Sequence, residues 1–426
     1  MKVNKSIEIG GRTLSVETGR IAKQASGACL IQYGDTVVMV TAQASDKDDP
    51  SRDFLPLTVD YREKYYAAGK IPGGFFKREA RPTEKETLSA RQIDRPIRPL
   101  FAKGWSRETQ VIANVLSSDQ ENDSDTLGLL GASMSLSLSS IPFNGPVGAV
   151  RIGVTEDGDK IVNPTFDERD ECDLVLTVAG TKDAIVMVEG AAQEVPEQTI
   201  IDCLRMAQEE IQKIIQLQEM VLGEGVGKEK AEWSAPQAPE GMKEALESAL
   251  GGRLKEALAH HGKHERSAAV RALRDEVFAQ LADKYSEESD IRFLKATYSS
   301  MEKDILRKTV LETNVRADGR GLKDIRPISC EVGVLPRTHG SALFTRGETQ
   351  AHVLCTLGTS ADEQRIDGLE GDSFKSYYLH YNFPPYSVGE VRRMFSTSRR
   401  EIGHGNLAER ALRPVLPADE DFPYTV

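Results

Sequence analysis

The sequence GACLIQYGDTVVMVT at residues 27–41 returns 313 positions later, with changes, as GSALFTRGETQAHVL at residues 340–354. Each copy opens with a glycine and turns at a Gly-acid-Thr step, Gly34–Thr36 in the first and Gly347–Thr349 in the second. Apolar and β-branched residues flank the turns, which predicts a strand, a tight turn and a second strand. A repeat at a fixed spacing indicates two domains of one fold in tandem.

The repeat extends beyond these hairpins. Lys77-Arg78-Glu79 corresponds to Arg399-Arg400-Glu401, and Leu88–Arg91 corresponds to Leu407–Arg410. Both copies therefore carry a basic segment that follows the hairpin in the chain.

The stretch between the copies differs from both. Glycine and proline with few apolar residues indicate a linker, and leucines that recur every four residues from Leu246 to Leu258 indicate helices. We predict a first domain at 1–222, a linker at 223–241, an all-helical domain at 242–312 and a second domain at 313–426.

Strand and helix patterns are mixed within the first copy, which predicts an α/β (α+β) fold. An opening hairpin is predicted around Gly10-Gly11, and a helix near 86–95 is expected to end at Pro96 and Pro99, because proline lacks an N–H donor. Further strands are predicted at 28–45, 54–60, 108–116, 147–154, 173–179 and 184–189, with helices at 126–140, capped by Asp125, and 196–221.

Composition limits the class of protein. With 39% hydrophobic and 28% charged residues, the chain is typical of a soluble globular protein. No stretch approaches the roughly 18 apolar residues of a membrane span, and no signal-peptide pattern is present, so we expect a cytoplasmic protein without a membrane partner. The five cysteines lack C-x-x-C spacing and are expected to be reduced core residues.

The formal net charge of −12 is unevenly distributed. Residues 62–107 hold twelve Lys and Arg against five Asp and Glu, and residues 391–413 hold six against two. Two basic zones in an acidic chain indicate a focused positive channel, as a nucleic acid would require. Two solvated basic faces would explain the same counts.

Three shorter motifs carry little weight. Gly223–Lys228 resembles a phosphate-binding loop but is one residue short and lacks the following Ser or Thr. His260, His261 and His264 include a pair four residues apart, but no acidic third metal ligand is evident. The acidic run Asp119–Asp125 lacks the glycine and final glutamate of a calcium loop, so we interpret it as a polar turn before a helix.

The first basic zone combines aromatic and cationic side chains. Phe75, Phe76, Lys77 and Arg78 follow the glycine-rich segment Ile71–Gly74. The bases of a single strand stack on aromatic rings, with about 1 to 3 kcal/mol per base, and phosphates prefer arginine. The segment therefore predicts contact with a single-stranded nucleic acid.

Three arginines follow this segment. Arg91, Arg95 and Arg98 are spaced by four and three residues, so they share one side of a helix that reaches Arg95. Ion pairs with neighbouring acids such as Asp94 would occupy one or two of them, but not all three.

The second basic zone contains a compact group of three cationic or ionisable residues. Arg399 and Arg400 precede His404 in the sequence Ile402-Gly403-His404-Gly405. Two guanidiniums and an imidazole beside flexible glycines predict an oxyanion site for free phosphate or a phosphodiester. A purely structural hydrogen bond from His404 to a neighbouring carbonyl is the alternative.

Four segments resemble the bacterial polynucleotide phosphorylase family, and the similarity runs over essentially the whole chain. They are IPGGFFKREARPTEKETLSARQIDRPIRPLF at 71–101, GVLPRTHGSALFTRGETQ at 333–350, HYNFPPYSVGE at 380–390 and SRREIGHG at 398–405. The resemblance implies tandem RNase PH-like domains of the ribosomal protein S5 domain 2-like fold, separated by a small all-helical domain, with the second copy incomplete.

The same resemblance implies a reaction and its partners. Inorganic phosphate attacks the 3′-terminal linkage of single-stranded RNA and releases a nucleoside diphosphate in mRNA decay, and the reverse reaction polymerises RNA. The family also implies a Mg²⁺ or Mn²⁺ ion, a homotrimer with a central pore, and an RNA-degradation complex with an endoribonuclease and a helicase.

The resemblance also assigns residues. Phe75 and Phe76 match the family's aromatic pore constriction. The RNA-binding positions that it implies are Lys77, Arg78 and Arg81 in the loop, and Arg91, Arg95 and Arg98 on the helix. The positions that it implies for catalysis, at the phosphate and the scissile bond, are Arg399, Arg400 and His404.

The chain departs from the family's pattern at its C-terminal end. Family members continue past Val426 with the rest of the second domain, a KH domain and an OB-fold domain. The continuing part carries the two metal-binding aspartates, so no metal ligand is expected among these residues. We therefore expect a fragment of the enzyme that lacks phosphorolysis on its own. The alternative is a non-catalytic fragment that binds single-stranded RNA or takes part in assembly.

Overall fold

The computed structural model describes residues 1–49, 52, 54–394, 396–418 and 420–426. Within this part of the chain there are two compact units, one made of Met1–Ser234 with Leu357–Val426 and the other of Ala235–Thr356. Compactness in space and limits between repeats need not coincide, so the predicted domain limits stay predictions.

A six-stranded sheet opens the first unit. Its strands are β1 (Val3–Ile9), β2 (Arg12–Thr18), β3 (Gly27–Tyr33), β4 (Thr36–Ala44), β5 (Leu57–Glu63) and β6 (Thr109–Ser117). The strands lie in the order β1-β2-β3-β4-β6-β5, with β5 and β6 parallel and the other neighbours antiparallel. Gly10 and Gly11 turn the predicted opening hairpin with φ angles of 55° and 74°.

A second sheet and four helices complete this part of the unit. The strands are β7 (Gly148–Thr155), β8 (Lys160–Val162), β9 (Cys172–Gly180) and β10 (Ile185–Ala192), in the order β10-β9-β7-β8. The helices are α1 (Glu84–Ile97), α2 (Asp125–Leu138), α3 (Phe166–Asp170) and α4 (Glu197–Val221). The predicted mixed α/β character is therefore present.

The core of the first unit is built around α2. This helix is buried on nearly every side and packs on β3, β4 and β7. Gly27 and Gly131 permit the close contact, since a Cβ atom at Gly27 would lie 1.9 Å from the Ser135 carbonyl oxygen and one at Gly131 would lie 2.2 Å from Val40. The small residues of α2 are thus a packing requirement of the first repeat.

The second unit has a separate core. Its helices are α5 (Met242–Leu250), α6 (Arg253–Leu258), α7 (Lys263–Leu281) and α8 (Glu288–Thr313), and its strands are β11 (Ile328–Val332), β12 (Gly340–Arg346) and β13 (Thr349–Cys355). The predicted leucine stripe is buried among these helices. The hairpin of β12 and β13 turns at Gly347, as the repeat predicts.

The remaining elements return to the first unit. They are β14 (Gln364–Gly368), β15 (Gly371–Lys375) and α9 (Arg399–Leu412). The turn between β14 and β15 packs on the first repeat, where Leu369 is buried. The Gln120 side chain donates a hydrogen bond of 2.7 Å to the Leu369 carbonyl, and Lys70 donates one of 2.9 Å to Gly368. This hairpin therefore joins part of the second repeat to the first.

Three predictions need correction. Helix α1 continues through Pro96, because a proline in the last turn removes a single hydrogen bond and the Arg98 N–H still bonds Asp94. Asp125 is not the cap of α2, since its carboxylate accepts from Arg151 and Ser124 occupies the cap position. Cys330, expected in the core, is exposed on β11, although all five thiols are free.

Among the described residues, no helix combines the length and the apolar character needed to cross a bilayer.

Candidate functional site

The N-terminus of α9 is fixed by a capping box. Ser398 Oγ accepts from the Glu401 N–H at 3.2 Å, and the Glu401 carboxylate accepts from the Ser398 N–H at 2.8 Å. The same carboxylate accepts a 2.8 Å bond from the Phe383 N–H. These backbone bonds, to Phe383 first and then Ser398, lower the pKa of Glu401 from its ordinary value of 4.5. The box places Arg399 and Arg400 in the first turn.

Arg400 and His404 lie one helical turn apart on α9 and therefore on one face. The Arg400 guanidinium lies over the Phe383 ring at 5.7 Å, and the His404 ring contacts Tyr381 edge to face at 5.2 Å. Tyr381 and Phe383 stack on each other, 6.3 Å apart. The segment that precedes α9 thus supports both predicted side chains from one side and leaves Arg400 exposed on the other.

The two glycines beside His404 each admit a close neighbour. A Cβ atom at Gly405 would lie 3.2 Å from the Leu379 carbonyl oxygen. A Cβ atom at Gly403 would lie 2.8 Å from Nε of Arg91, which belongs to α1 in the first repeat. The helices α1 and α9 pack against each other, so Arg91 lies next to the Arg400 and His404 turn.

Helix α1 begins with the same capping box as α9, formed by Thr83 and Glu86. Thr83 and Ser398 are 315 positions apart, and this spacing fixes the correspondence of the two helices. The predicted correspondence of Lys77-Arg78-Glu79 with Arg399-Arg400-Glu401 is therefore wrong, because the first set lies in a loop and the second begins a helix. The predicted correspondence of Leu88–Arg91 with Leu407–Arg410 is wrong as well, because at the corrected spacing Arg410 corresponds to Arg95 and His404 corresponds to Ser89.

The loop before α1 exposes the predicted stacking residues. Phe75 and Phe76 are 94% and 87% exposed and contact each other edge to face, with 5.4 Å between ring centroids. Lys77, Arg78 and Arg81 are exposed as well. Two solvent-exposed rings beside three available cations are suited to a single strand of nucleic acid.

Three of the predicted basic residues are occupied by acceptors of the protein itself. Arg98 donates to Asp94, Leu55 O and Leu57 O, at 2.6 to 3.1 Å. The contacts of the other two arginines are Arg95 with Glu189, and Arg399 with Asp60 and the Val59 carbonyl oxygen. The expectation that neighbouring acids would occupy some of these arginines holds for Arg98, whose partner Asp94 is local in sequence. Glu189 and Asp60 are distant in sequence and could not be identified from spacing.

A cavity of about 900 Å³ in the first unit adjoins these residues. Arg78, Arg81, Glu189 and Arg410 line it, together with Asn406. Its lining holds nine basic and nine acidic side chains among the described residues, so the cavity does not itself form the focused positive channel that the charge distribution suggested.

The acidic run Asp119–Asp125 contributes to the fold of the first repeat. Asp123 and Asp125 both contact the Arg151 guanidinium and are buried with it. Burial raises the pKa of Asp123, but the charges of Arg151 and Lys85 outweigh burial and hold it below its ordinary value. The interpretation as a polar turn before a helix fits this geometry.

The described residues contain no group of three or more His, Cys, Asp or Glu side chains close enough together to hold a metal ion. They therefore do not fit the divalent cation that the resemblance implies.

Comparison with known families identifies the class of protein. The model of the 3′ exoribonuclease family, domain 1, matches residues 10–142 and 324–426, and that of its domain 2 matches residues 145–210. The RNA binding domain of polyribonucleotide nucleotidyltransferase matches residues 241–321. The chain belongs to the 3′ exoribonuclease family. The predicted tandem RNase PH-like domains around a helical domain are confirmed.

Curated relatives refine the comparison. The chain is 52% identical over 422 residues to a Heliobacterium modesticaldum protein and 49% identical over 421 residues to a Bacillus subtilis protein, each covering 99% of this chain. Both are named polyribonucleotide nucleotidyltransferase, which confirms the predicted resemblance. The chain spans 59% of the length of either relative. A rice chain described as Rrp46 aligns with 52% of this chain at 14% identity and a TM-score of 0.40, which is too low to support a conclusion.

Proposed function

We propose that the protein degrades single-stranded RNA from its 3′ end by phosphorolysis, releasing nucleoside diphosphates, in a reaction that reverses as polymerisation. The observation that carries this proposal is the packing of α1 on α9, with Arg91 of the first repeat against Gly403, next to His404 of the second. Family membership supplies the reaction class.

In this proposal the two repeats divide the work. Phe75 and Phe76 stack on bases, while Lys77, Arg78, Arg81 and Arg91 hold backbone phosphates. The resemblance implies Arg98 as a further RNA contact, but four of its hydrogen bonds go to the protein, so this proposal gives Arg98 a structural role instead.

The second repeat holds the reacting end. Arg400 is free to hold the attacking phosphate or the scissile phosphodiester, and His404 one turn further on reaches the same oxyanion. Arg399 belongs to the same predicted group, and its contacts with Asp60 and the Val59 carbonyl give it a second task, to attach α9 to β5.

The finer properties that the resemblance implies are proposals as well. They are a Mg²⁺ or Mn²⁺ cofactor, a homotrimeric assembly, a cytoplasmic location, and a degradation complex with an endoribonuclease and a helicase.

The test is phosphate-dependent release of nucleoside diphosphates from poly(A). The chain spans 59% of the Heliobacterium relative. Two proteins are therefore assayed: the chain alone, and a continued chain in which the remaining part of that relative is fused after Val426. We expect turnover from the continued chain, and its loss in the R400A variant of that protein. Turnover that does not depend on phosphate, or that survives R400A, would contradict the proposal.

A second function is favoured by one observation. The exposed rings of Phe75 and Phe76 lie beside the exposed cations Lys77, Arg78 and Arg81, a combination suited to binding RNA without any reaction. A chain with this function alone binds oligo(A) with a steep salt dependence, and phosphate has no effect on the bound strand.

A further inference from the structure

One carboxylate contacts two arginines from different repeats. Glu189 lies on β10. Its Oε2 is 2.5 Å from Arg95 Nη2, and its Oε1 is 3.1 Å from Arg410 Nη1. Each arginine uses a single nitrogen in this contact, so neither pair is the two-bond fork that makes arginine pairs strong.

The two arginines hold equivalent positions. Arg95 and Arg410 are 315 positions apart, the same spacing as the caps Thr83 and Ser398. Each lies in the last turn of its helix, α1 or α9. Glu189 therefore joins corresponding points of the two repeats, at the end of the helix pair opposite to Arg400.

These ion pairs contribute little to the fold. The side chains are partly exposed, at 48% for Arg95, 30% for Arg410 and 25% for Glu189. Pairs with such exposure stabilise a protein by about 0 to 1 kcal/mol each. Their larger effect is on the arginines themselves, because one negative charge offsets half of the charge of the pair.

The position of Glu189 is also suited to contact with a ligand. Glu189 and Arg410 line the same cavity as Arg78 and Arg81 of the loop before α1. A phosphate group is the anion that a pair of arginines recognises best, and it would bind on the same guanidinium groups as the carboxylate.

We propose that Glu189 is an internal counter-ion that competes with RNA backbone phosphate for Arg95 and Arg410, and that it thereby sets how tightly the strand is held. The proposal rests on the proposed function, in that it requires the strand to pass this pair. Glu189 acts through the arginines and does not touch the reacting atoms.

The experiment measures the affinity of the full chain for fluorescent oligo(A) in phosphate-free buffer between 50 and 200 mM salt. The test variant is E189Q, which removes the charge and keeps the shape. The matched control is E84Q, which removes a charge from the lining of the same cavity but pairs with neither arginine. E189A repeats the test without the hydrogen bond that the amide oxygen of the glutamine could still accept from an arginine.

We expect E189Q and E189A to bind oligo(A) several-fold more tightly than E84Q at 50 mM salt. Each arginine that gains a phosphate contact steepens the slope of log K against log salt concentration by about 0.7. With both arginines in contact, the gain in affinity therefore shrinks by up to about sevenfold between 50 and 200 mM salt. The gain should vanish in the R95A/R410A background. Inorganic phosphate is then added at constant ionic strength to distinguish the two possible ligands of the arginines. If the ligand is a free anion, the added phosphate abolishes the gain in affinity. If the ligand is the RNA backbone, the gain remains.

Equal or weaker binding by both Glu189 variants relative to E84Q would overturn the inference, and so would a gain that persists in R95A/R410A. Failure of the proposed function has a different signature, in which the chain continued with the remaining part of the Heliobacterium relative shows turnover that does not depend on phosphate or that survives R400A.

Discussion

Replacing Gly403 by alanine tests the free energy of unfolding and the RNA contact of Arg91 separately. Alanine in a helix interior is favoured over glycine by about 1 kcal/mol. The added methyl group would lie 2.8 Å from Arg91 Nε and 3.2 Å from its Cζ, so the guanidinium must move. Because Arg91 is a long, exposed side chain, that movement costs little, and we expect the free energy of unfolding to change by less than about 1 kcal/mol.

RNA binding should respond differently. A hydrogen bond to a charged group is worth about 1.5 to 3 kcal/mol, so displacement of Arg91 should weaken oligo(A) binding by roughly ten- to a hundredfold. Fluorescence anisotropy gives the Kd, and urea unfolding gives the stability of the same sample. The R91A variant should show a similar loss, and G403A should add nothing to it. An unchanged Kd in G403A, or a large loss of stability with it, would refute the reasoning.

Three further predictions use other parts of the site. R98A should lose about 1 to 3 kcal/mol of unfolding free energy while its oligo(A) affinity stays unchanged, because the Arg98 N–H groups donate to Asp94 and two carbonyls. Urea unfolding and anisotropy test this, and weaker binding without loss of stability would show that Arg98 contacts the RNA. F76A should leave the melting temperature unchanged, since the ring is 87% exposed, but should lose about 1 to 3 kcal/mol of binding free energy for oligo(A). Equal affinity of F76A and the unmodified chain would exclude stacking of a base on Phe76. The N–H groups of Phe383 and Ser398 lower the pKa of Glu401, so the stability that its carboxylate contributes is complete above the ordinary pKa of 4.5 and is lost as the pH falls through the folded value. The melting temperatures of the unmodified chain and of E401Q should therefore converge in acid. A constant difference between them from pH 7 to 3 would contradict this direction.

The sequence predicted the parts of the fold that repeat or alternate locally. Both glycine-turned hairpins, the helical stripe from Leu246 to Leu258 and the limits of most strands followed from spacing, because neighbours in the chain determine them. The identical capping boxes at Thr83 and Ser398 were also visible in the sequence and would have given the correct spacing of 315. Aligning the repeats by their basic residues gives a wrong correspondence instead.

The partners of the arginines could not be predicted in the same way. Glu189 and Asp60 reach their arginines across 94 or more positions, and a carboxylate on a strand gives no local sign of its distant partner. The tight contact of Gly403 with Arg91 likewise depends on how two helices pack. Only the assembled fold separates Arg98, which holds the protein together, from Arg91, which remains available to a ligand.

The proposed function requires that one RNA strand contacts both repeats. The most direct measurement is an experimental structure of the chain with a bound oligo(A). We expect phosphates of a single strand to lie within hydrogen-bond distance of Arg91 on α1 and Arg400 on α9, with bases against Phe75 or Phe76. A strand that contacts one repeat only, with Arg91 and Arg400 on different strands or on none, would contradict it.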